Sequence, residues 1–305
     1  MAGLKLLLLR ARLAEKYLIS FVPMTLTRVL TALVLMPLAI VIVLFGSTAV
    51  VAIAVAVLTV LALWEYFALG DAIGHRAYRH WTLFCALLLI FFQWKEAYGV
   101  ANSRSAFPLT SFVVVTFDIS IYVLGVAVLT LFNRRPLVES LPAAGISSSA
   151  LLLVALPLSF AVPLHSSPSE GHRLLLFALA ITWAADTFAY FVGRSLGKHP
   201  FAPKISPQKT WEGSIGGLLG SLVVACAFHF WLSIPLPHLF AMAFLGNVAG
   251  QVGDLLESAC KRSAGVKDSG GLLPGHGGIL DRIDALILCI PVLWYYLVLV
   301  NPHTL

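Results

Sequence analysis

Nine stretches of this chain, near 29–46, 48–69, 81–98, 112–132, 149–165, 173–193, 214–233, 237–256 and 280–300, are apolar for long enough to cross about 30 Å of hydrocarbon as helices. Composition makes lipid their solvent. Of 305 residues 59% are hydrophobic and 11% charged, and the mean hydropathy is +0.93, which leaves too little polar surface to cover a water-soluble globule. The expected fold class is therefore all-α: a polytopic membrane protein of nine transmembrane helices. Residues 1–28 are basic and amphipathic and lack a small-residue cleavage site, which suits an interfacial helix better than a signal peptide. Residues 29–184 hold the N-terminal helices. Residues 185–300 carry most of the polar chemistry, within a single integral membrane unit.

The basic residues predict an orientation. With nine spans, the N-terminus and the loops after spans two, four, six and eight lie on one side and hold 17 of the 20 Lys and Arg. Lys95, Arg104 and Arg173 fall on the other. The positive-inside rule then puts the N-terminus in the cytoplasm and the C-terminus outside. The pI of about 9.3 reports this topology and the anionic headgroups beside it, so no nucleic-acid partner is expected. Cys85, Cys226, Cys260 and Cys289 stand alone in apolar surroundings, without CxxC spacing, and read as packing residues.

Four carboxylates, Glu65, Asp118, Asp186 and Asp254, fall inside predicted spans, where each ionised group costs on the order of 3 kcal/mol. Glu65 and Asp118 lie near enough to span ends to reach headgroups or a polar neighbour, which leaves their role open between packing and function. Asp186 and Asp254 begin polar faces that run on into basic loops. In "GDLLESACKR", Asp254, Ser258 and Lys261 recur at i, i+4 and i+7 on one helical stripe, with Glu257 beside it. The ninth span opens with Asp281, Arg282 and Asp284; carboxylates there also suit a helix N-terminus as caps. Between the two, "SGGLLPGHGG" supplies five glycines, which allow backbone N–H groups to approach an anion or simply make a long turn.

Hard oxygen ligands from two helix ends, Lys and Arg clamps and a glycine-rich cradle suit phosphoryl chemistry on a nucleotide with Mg²⁺. The soluble solutions are missing: "GRSLGKH" (193–199) lacks P-loop spacing, and there is no GxGxxG. "GSIGGLLG" (213–220) reads as close helix packing, with a homodimer as one possible use of it. Trp94 and "WYY" (294–296) read as interfacial anchors.

The run "SACKRSAGVKDSGGLLPGHGGILDRID" (258–284) resembles the signature of the CDP-diacylglycerol synthases, or phosphatidate cytidylyltransferases, which joins S-x-x-K-R, K-D, H-G-G and D-R-x-D at fixed gaps. Cys260 departs from the larger aliphatic residue usual there. "ADTFAYFVGRSLGKHPFAPKISPQKTWEGSIGG" (185–217), "TRVLTALVLMPL" (27–38) and "WEY" (64–66) are similar to the family as well. The resemblance implies that phosphatidate attacks the α-phosphorus of CTP, giving CDP-diacylglycerol and pyrophosphate. It implies Asp254 and Asp281 as the metal-binding pair, for Mg²⁺ with a second cation beside it. It assigns Ser258, Lys261, Arg262, Asp268 and His276 to the catalytic cavity, and Asp186, Lys198, Ser206, Lys209, Lys267, Arg282 and Asp284 to substrate binding. The partners implied are CTP, phosphatidate and membrane lipid. A bacterial inner membrane, with the site facing the cytoplasm, is the implied location. Two rival readings are a CTP-dependent polyprenol or phytol kinase, which would release CDP, and a secondary transporter. A transporter should repeat its broken helices in two halves, and no such echo is found.

Overall fold

The computed structural model describes residues 33–102, 107–132, 136–168, 170–272 and 277–300. The amphipathic segment expected over 1–28, His276 and the C-terminal residues 301–305 lie outside the described residues. The helices run in order as α1 (Leu33–Phe45), α2 (Thr48–Ala72), α3 (Arg79–Asn102) and α4 (Phe107–Phe132). A composite span over Leu137–His165 follows, then α8 (Gly171–Leu196), α9 (Trp211–His229), α10 (Leu236–Ser263) and α11 (Leu280–Val300). The composite span contains α5 (Ser140–Ala150), a π-helical turn (Leu151–Ala155), α6 (Leu156–Ser159) and α7 (Ala161–His165). Pro157 and Pro163 cannot donate to the helical ladder, and the changes of winding fall around them.

Seven of the described helices are long and apolar enough to cross a membrane, against nine expected. The two that differ are α1, of which only a shorter apolar stretch is described, and α3. Arg79, Gln93, Lys95 and Glu96 dilute the hydropathy of α3. Conversely, α10 continues beyond the expected end at 256 to Ser263, so Glu257, Ser258 and Lys261 ride on regular helix.

A short antiparallel hairpin, β1 (Pro200–Ala202) and β2 (Ser206–Thr210), joins α8 to α9 and is the one strand pair among the described residues. It is folded back onto α9. Thr210 caps that helix, accepting the Gly213 N–H at 3.1 Å, and the Trp211 N–H donates to the His199 carbonyl at 3.0 Å. Glu212 accepts the backbone N–H groups of Lys198 and His199.

Small residues bring the C-terminal helices together. A Cβ at Gly216 would stand 2.6 Å from Val192 Cβ, at Gly217 3.0 Å from the Ala185 carbonyl, and at Gly220 2.7 Å from the Phe188 ring. The glycine stripe of α9 is thus used against α8 within the chain. On α10, Gly246, Gly250 and Gly253 do the same against α11; a Cβ at Gly253 would lie 2.4 Å from the Asp284 carbonyl oxygen. Trp294 is 2% exposed and belongs to the core, which corrects its reading as an interfacial anchor. The buried face of α11 points to the other helices, and Trp294 falls on it.

Two ends of the bundle are distinguished by cross-links. At one, Glu65 of α2 meets the start of α11, the Tyr66 hydroxyl donates to Ser149, and Arg262 at the end of α10 donates to the Ile205 carbonyl in the hairpin. At the other, Glu170 accepts the Ser233 N–H, and Arg173 donates to the Trp231 carbonyl. All four cysteines are free thiols.

Candidate functional site

The first end of the bundle opens into a cavity of about 630 Å³ between α8, the hairpin, α9 and α10. Asp186, Lys209 and Asp254 converge there from three separate segments, with Ser206 on the hairpin wall. The Lys209 ammonium stands 2.6 Å from Asp254 Oδ2, with each side chain about three-tenths exposed. Asp254 Oδ1 faces the Ser258 hydroxyl at 3.5 Å, as expected for residues one turn apart. Asp186 and Asp284 lie within electrostatic reach of Asp254, and the Arg282 guanidinium acts on Asp186. The close approach at Gly253 sets the first turn of α11, with Asp284, beside Asp254.

Lys261 sits outside the cavity lining. It is buried between Glu257 Oε2 and Asp281 Oδ1, at 2.5 Å from each. The other oxygen of Asp281 accepts the Ser269 N–H and hydroxyl, both at 3.0 Å, and the Gly278 N–H at 2.8 Å. Glu65 is buried just behind it. Its oxygens accept the N–H groups of Ile279 at 3.0 Å and Leu280 at 2.9 Å, and the Ser269 hydroxyl at 3.0 Å. Glu65 thus supplies from α2 the acceptors that a helix start lacks within itself. The glycines of the loop serve these two carboxylates: a Cβ at Gly278 would fall 2.3 Å from Glu65 Oε2, and at Gly277, whose φ is +78°, 2.9 Å from Asp281 Oδ2. Among the described residues, the anions that the loop backbone cradles are the protein's own.

The remaining expected site residues lie outside the cavity lining. Lys198, Arg262, Lys267, Asp268 and Arg282 are exposed at this end, Ser258 is buried, and Asp284 is half-buried with Oδ1 on the Ala285 N–H at 2.7 Å. Arg262 ties the hairpin to the loop, donating to the carbonyls of Ile205 and Val266.

Three residues of the wall, Ser214, Asn247 and Gln251, and the buried Ser221 behind them escaped the sequence reading. The Asn247 amide donates to Ser221 at 3.0 Å, the Gln251 amide donates to Asn247 Oδ1 at 2.6 Å, and Ser214 donates to Gln251. A signal for two of them was present: Asn247 and Gln251 extend the stripe of Asp254, Ser258 and Lys261 backwards by seven and three residues along α10.

Among the described residues, no three His, Cys, Asp or Glu side chains close around a common point as a metal cage. That is compatible with magnesium on a nucleotide, which takes one or two protein carboxylates and completes its shell with phosphate oxygens and water. By donor chemistry Asp254 suits it, offering hard oxygens to the cavity; Asp281 lies outside the cavity lining, with Oδ1 on the Lys261 ammonium. Each faces a lysine nitrogen, positive charge standing beside both carboxylates.

A profile described as "Cytidylyltransferase family" matches residues 26–300. The chain belongs to that family. Relatives named phosphatidate cytidylyltransferase include one from Bacillus subtilis (strain 168), 40% identical over 158 residues, or 51% of this chain and 58% of the relative. One from Staphylococcus saprophyticus is 47% identical over 132 residues, 43% of this chain and 51% of the relative. One from Staphylococcus aureus (strain COL) is 46% identical over 131 residues, 42% and 50%. The chain spans about half the length of the curated relatives it matches.

Proposed function

We propose that this family member transfers the cytidylyl group of CTP to phosphatidate, forming CDP-diacylglycerol and releasing pyrophosphate. The observation that carries the reading is the cavity that joins Asp186, Lys209 and Asp254 at one end of an apolar bundle, where a lipid phosphate and a water-borne nucleotide can meet. The names of the relatives support the choice of substrates.

In this reaction a phosphate oxygen of phosphatidate attacks the α-phosphorus of CTP. The bond from that phosphorus to the bridging oxygen breaks, and pyrophosphate leaves with the electron pair. Phosphatidate is already an anion, so no strong base is required; the task is to hold two polyanions in line. Lys209 and Ser206, on the cavity wall, bind the triphosphate, and the exposed Lys198 and Lys267 are assigned to the same substrate. Lys261 places Asp281, while Ser258 orients Asp254. Arg262 holds the hairpin over the site, and Asp186, Asp284 and Arg282 set its charge. Asp268 and His276 enter this reading through the signature. Asp254 and Oδ1 of Asp281 would hold Mg²⁺, which when bound neutralises phosphate oxygens at the reacting end. A homodimer is not part of the reading, since the glycine stripe that suggested one is used within the chain.

The topology follows the same reading: nine spans, the N-terminus and the cavity on the cytoplasmic side of a bacterial inner membrane, and the C-terminus outside. Purified protein with CTP, Mg²⁺ and phosphatidate should yield CDP-diacylglycerol and pyrophosphate in equal amounts. Release of CDP with a newly phosphorylated lipid would instead identify a lipid kinase and overturn the proposal.

A further inference from the structure

The cavity around Asp254 changes character with depth. Lys209, Ser206 and Gln208 line it on the hairpin side, whereas Thr182 of α8 and Asn247 and Gln251 of α10 line it farther into the bundle. Gln251 stands three residues before Asp254 on α10 and Asn247 seven, which places them about 5 and about 10 Å deeper. Ser214, in the first turn of α9, completes this inner wall. Its groups are neutral and polar, at a depth where most of the bundle is apolar.

The amide network fixes which atoms remain for a ligand. Both hydrogens of the Gln251 amide are used, on Asn247 Oδ1 at 2.6 Å and on the Ser214 carbonyl at 3.3 Å. Gln251 Oε1 accepts the Ser214 hydroxyl and keeps a second lone pair. Asn247 donates one hydrogen to Ser221 at 3.0 Å, and among the described residues the other has no partner. The Thr182 hydroxyl donates to the carbonyls of Ala178 and Leu179, so towards the cavity it can only accept. Gln251 thus offers an acceptor and Asn247, one turn away and 2% exposed, a donor. A phosphate carries acceptors alone and finds its cation at Lys209, and an acyl chain uses neither group. A planar heterocycle with an amine beside a ring nitrogen uses both.

We propose that this inner wall reads the base of the nucleotide: Gln251 Oε1 accepts from the exocyclic amine of cytosine, and the spare Asn247 N–H donates to the adjacent ring nitrogen. Uracil inverts both positions. It sets an oxygen against Oε1 and a ring N–H against the amide hydrogen, which leaves buried groups unpaired. Base selection of this kind presupposes the cytidylyl-transfer reading of the cavity and adds the groups that choose its nucleotide.

Turnover of the full chain in detergent with phosphatidate, measured as kcat/KM for CTP and for UTP, tests it. The wild type should prefer CTP. A CTP analogue with hydrogen in place of the exocyclic amine should be used about tenfold less well or worse, a readout that needs no variant to fold. Gln251→Leu and Asn247→Leu should each narrow the CTP-to-UTP ratio by about tenfold or more. Lys209→Ala, which removes a contact to the phosphates common to both nucleotides, should lower both values and leave their ratio. If the amides serve only to pack α9 against α10, their loss lowers stability and both activities together, and an unmoved ratio in folded variants overturns the proposal. Equal use of CTP and UTP by the wild type, or undiminished use of the analogue, overturns it as well. Failure of the wild type to transfer a cytidylyl group at all would remove the underlying reading, and base selection with it.

Discussion

Lys209 meets Asp254 and Lys261 meets Asp281, and burial makes the two pairs unequal. Lys209 and Asp254 are each about three-tenths exposed, so their pair contributes at most about 1 kcal/mol. Asp254→Asn should leave the melting temperature within a few degrees of wild type while cytidylyl transfer falls more than about 100-fold, because the amide keeps the shape and loses the charge. Near-normal turnover in that variant would remove Asp254 from the site. Asp281→Asn is different: Lys261 and Asp281 are nine-tenths buried, so the variant weakens a charge-assisted bond inside the protein while Lys261 keeps Glu257 as its counter-charge, at a cost of about 1.5–3 kcal/mol. Thermal unfolding in detergent should separate the two variants by that amount, and equal melting temperatures would contradict the assigned burial. Glu65→Ala strips the acceptors from the Ile279 and Leu280 N–H groups and leaves the Ser269 hydroxyl with Asp281 alone. Faster hydrogen exchange confined to 269–280 is the expected sign, with activity lost through the displaced Asp281.

At the scale of elements, the decisive contacts are helix pairs that touch through glycine. Gly253→Ala would press a methyl group into the Asp284 carbonyl and push α11 from α10, which should cost about 1–3 kcal/mol and separate Asp284 from Asp254. Gly271→Ala, where a Cβ meets nothing within 4 Å, is the matched control and should retain stability and activity. If both variants behave alike, the α10–α11 contact is not what sets the carboxylates side by side. The glycine stripe of α9 belongs to the same class, since Val192 and Phe188 of α8 occupy the space a side chain would take.

For the whole molecule, the cross-links assign loops to ends: the hairpin, the α10–α11 loop and the end of α2 lie together, and the α9–α10 turn lies opposite. The proposed orientation adds which end is cytoplasmic. Single cysteines at Ser195 and Ser263, and at Ser233 on the opposite end, test this in a background lacking the four native thiols; all three positions are exposed. An impermeant thiol reagent should reach 233 in spheroplasts, and 195 and 263 only after the membrane is opened. The reverse pattern would invert the protein. Ser206 and Ser269, closer to the chemistry, make poorer probes, because one is half-buried and the other is bonded to Glu65 and Asp281.

Hydropathy along the chain was enough for the fold class, because a span's length and apolarity are local properties that lipid reads directly. The signature from Ser258 to Asp284 was enough to point to the family, since charged and glycine positions at fixed gaps are also written in one stretch. The helical stripe of Asp254, Ser258 and Lys261 was legible from periodicity alone. What the sequence left open was every pairing between distant segments. Glu65 lies 215 residues from Leu280, and nothing in "WEY" says that its carboxylate caps another helix. Asp281 looked free to bind metal, and only the folded loop shows three N–H and O–H donors on one of its oxygens. Lys209 and Lys261 are both cations in basic loops, but the packing of α10 against α11 buries one and leaves the other on a cavity wall. The sequence determined which groups the protein carries to the membrane border. The tertiary structure alone decided which meet solvent and which meet each other, because burial and ion pairing depend on close approach between helices far apart in the chain.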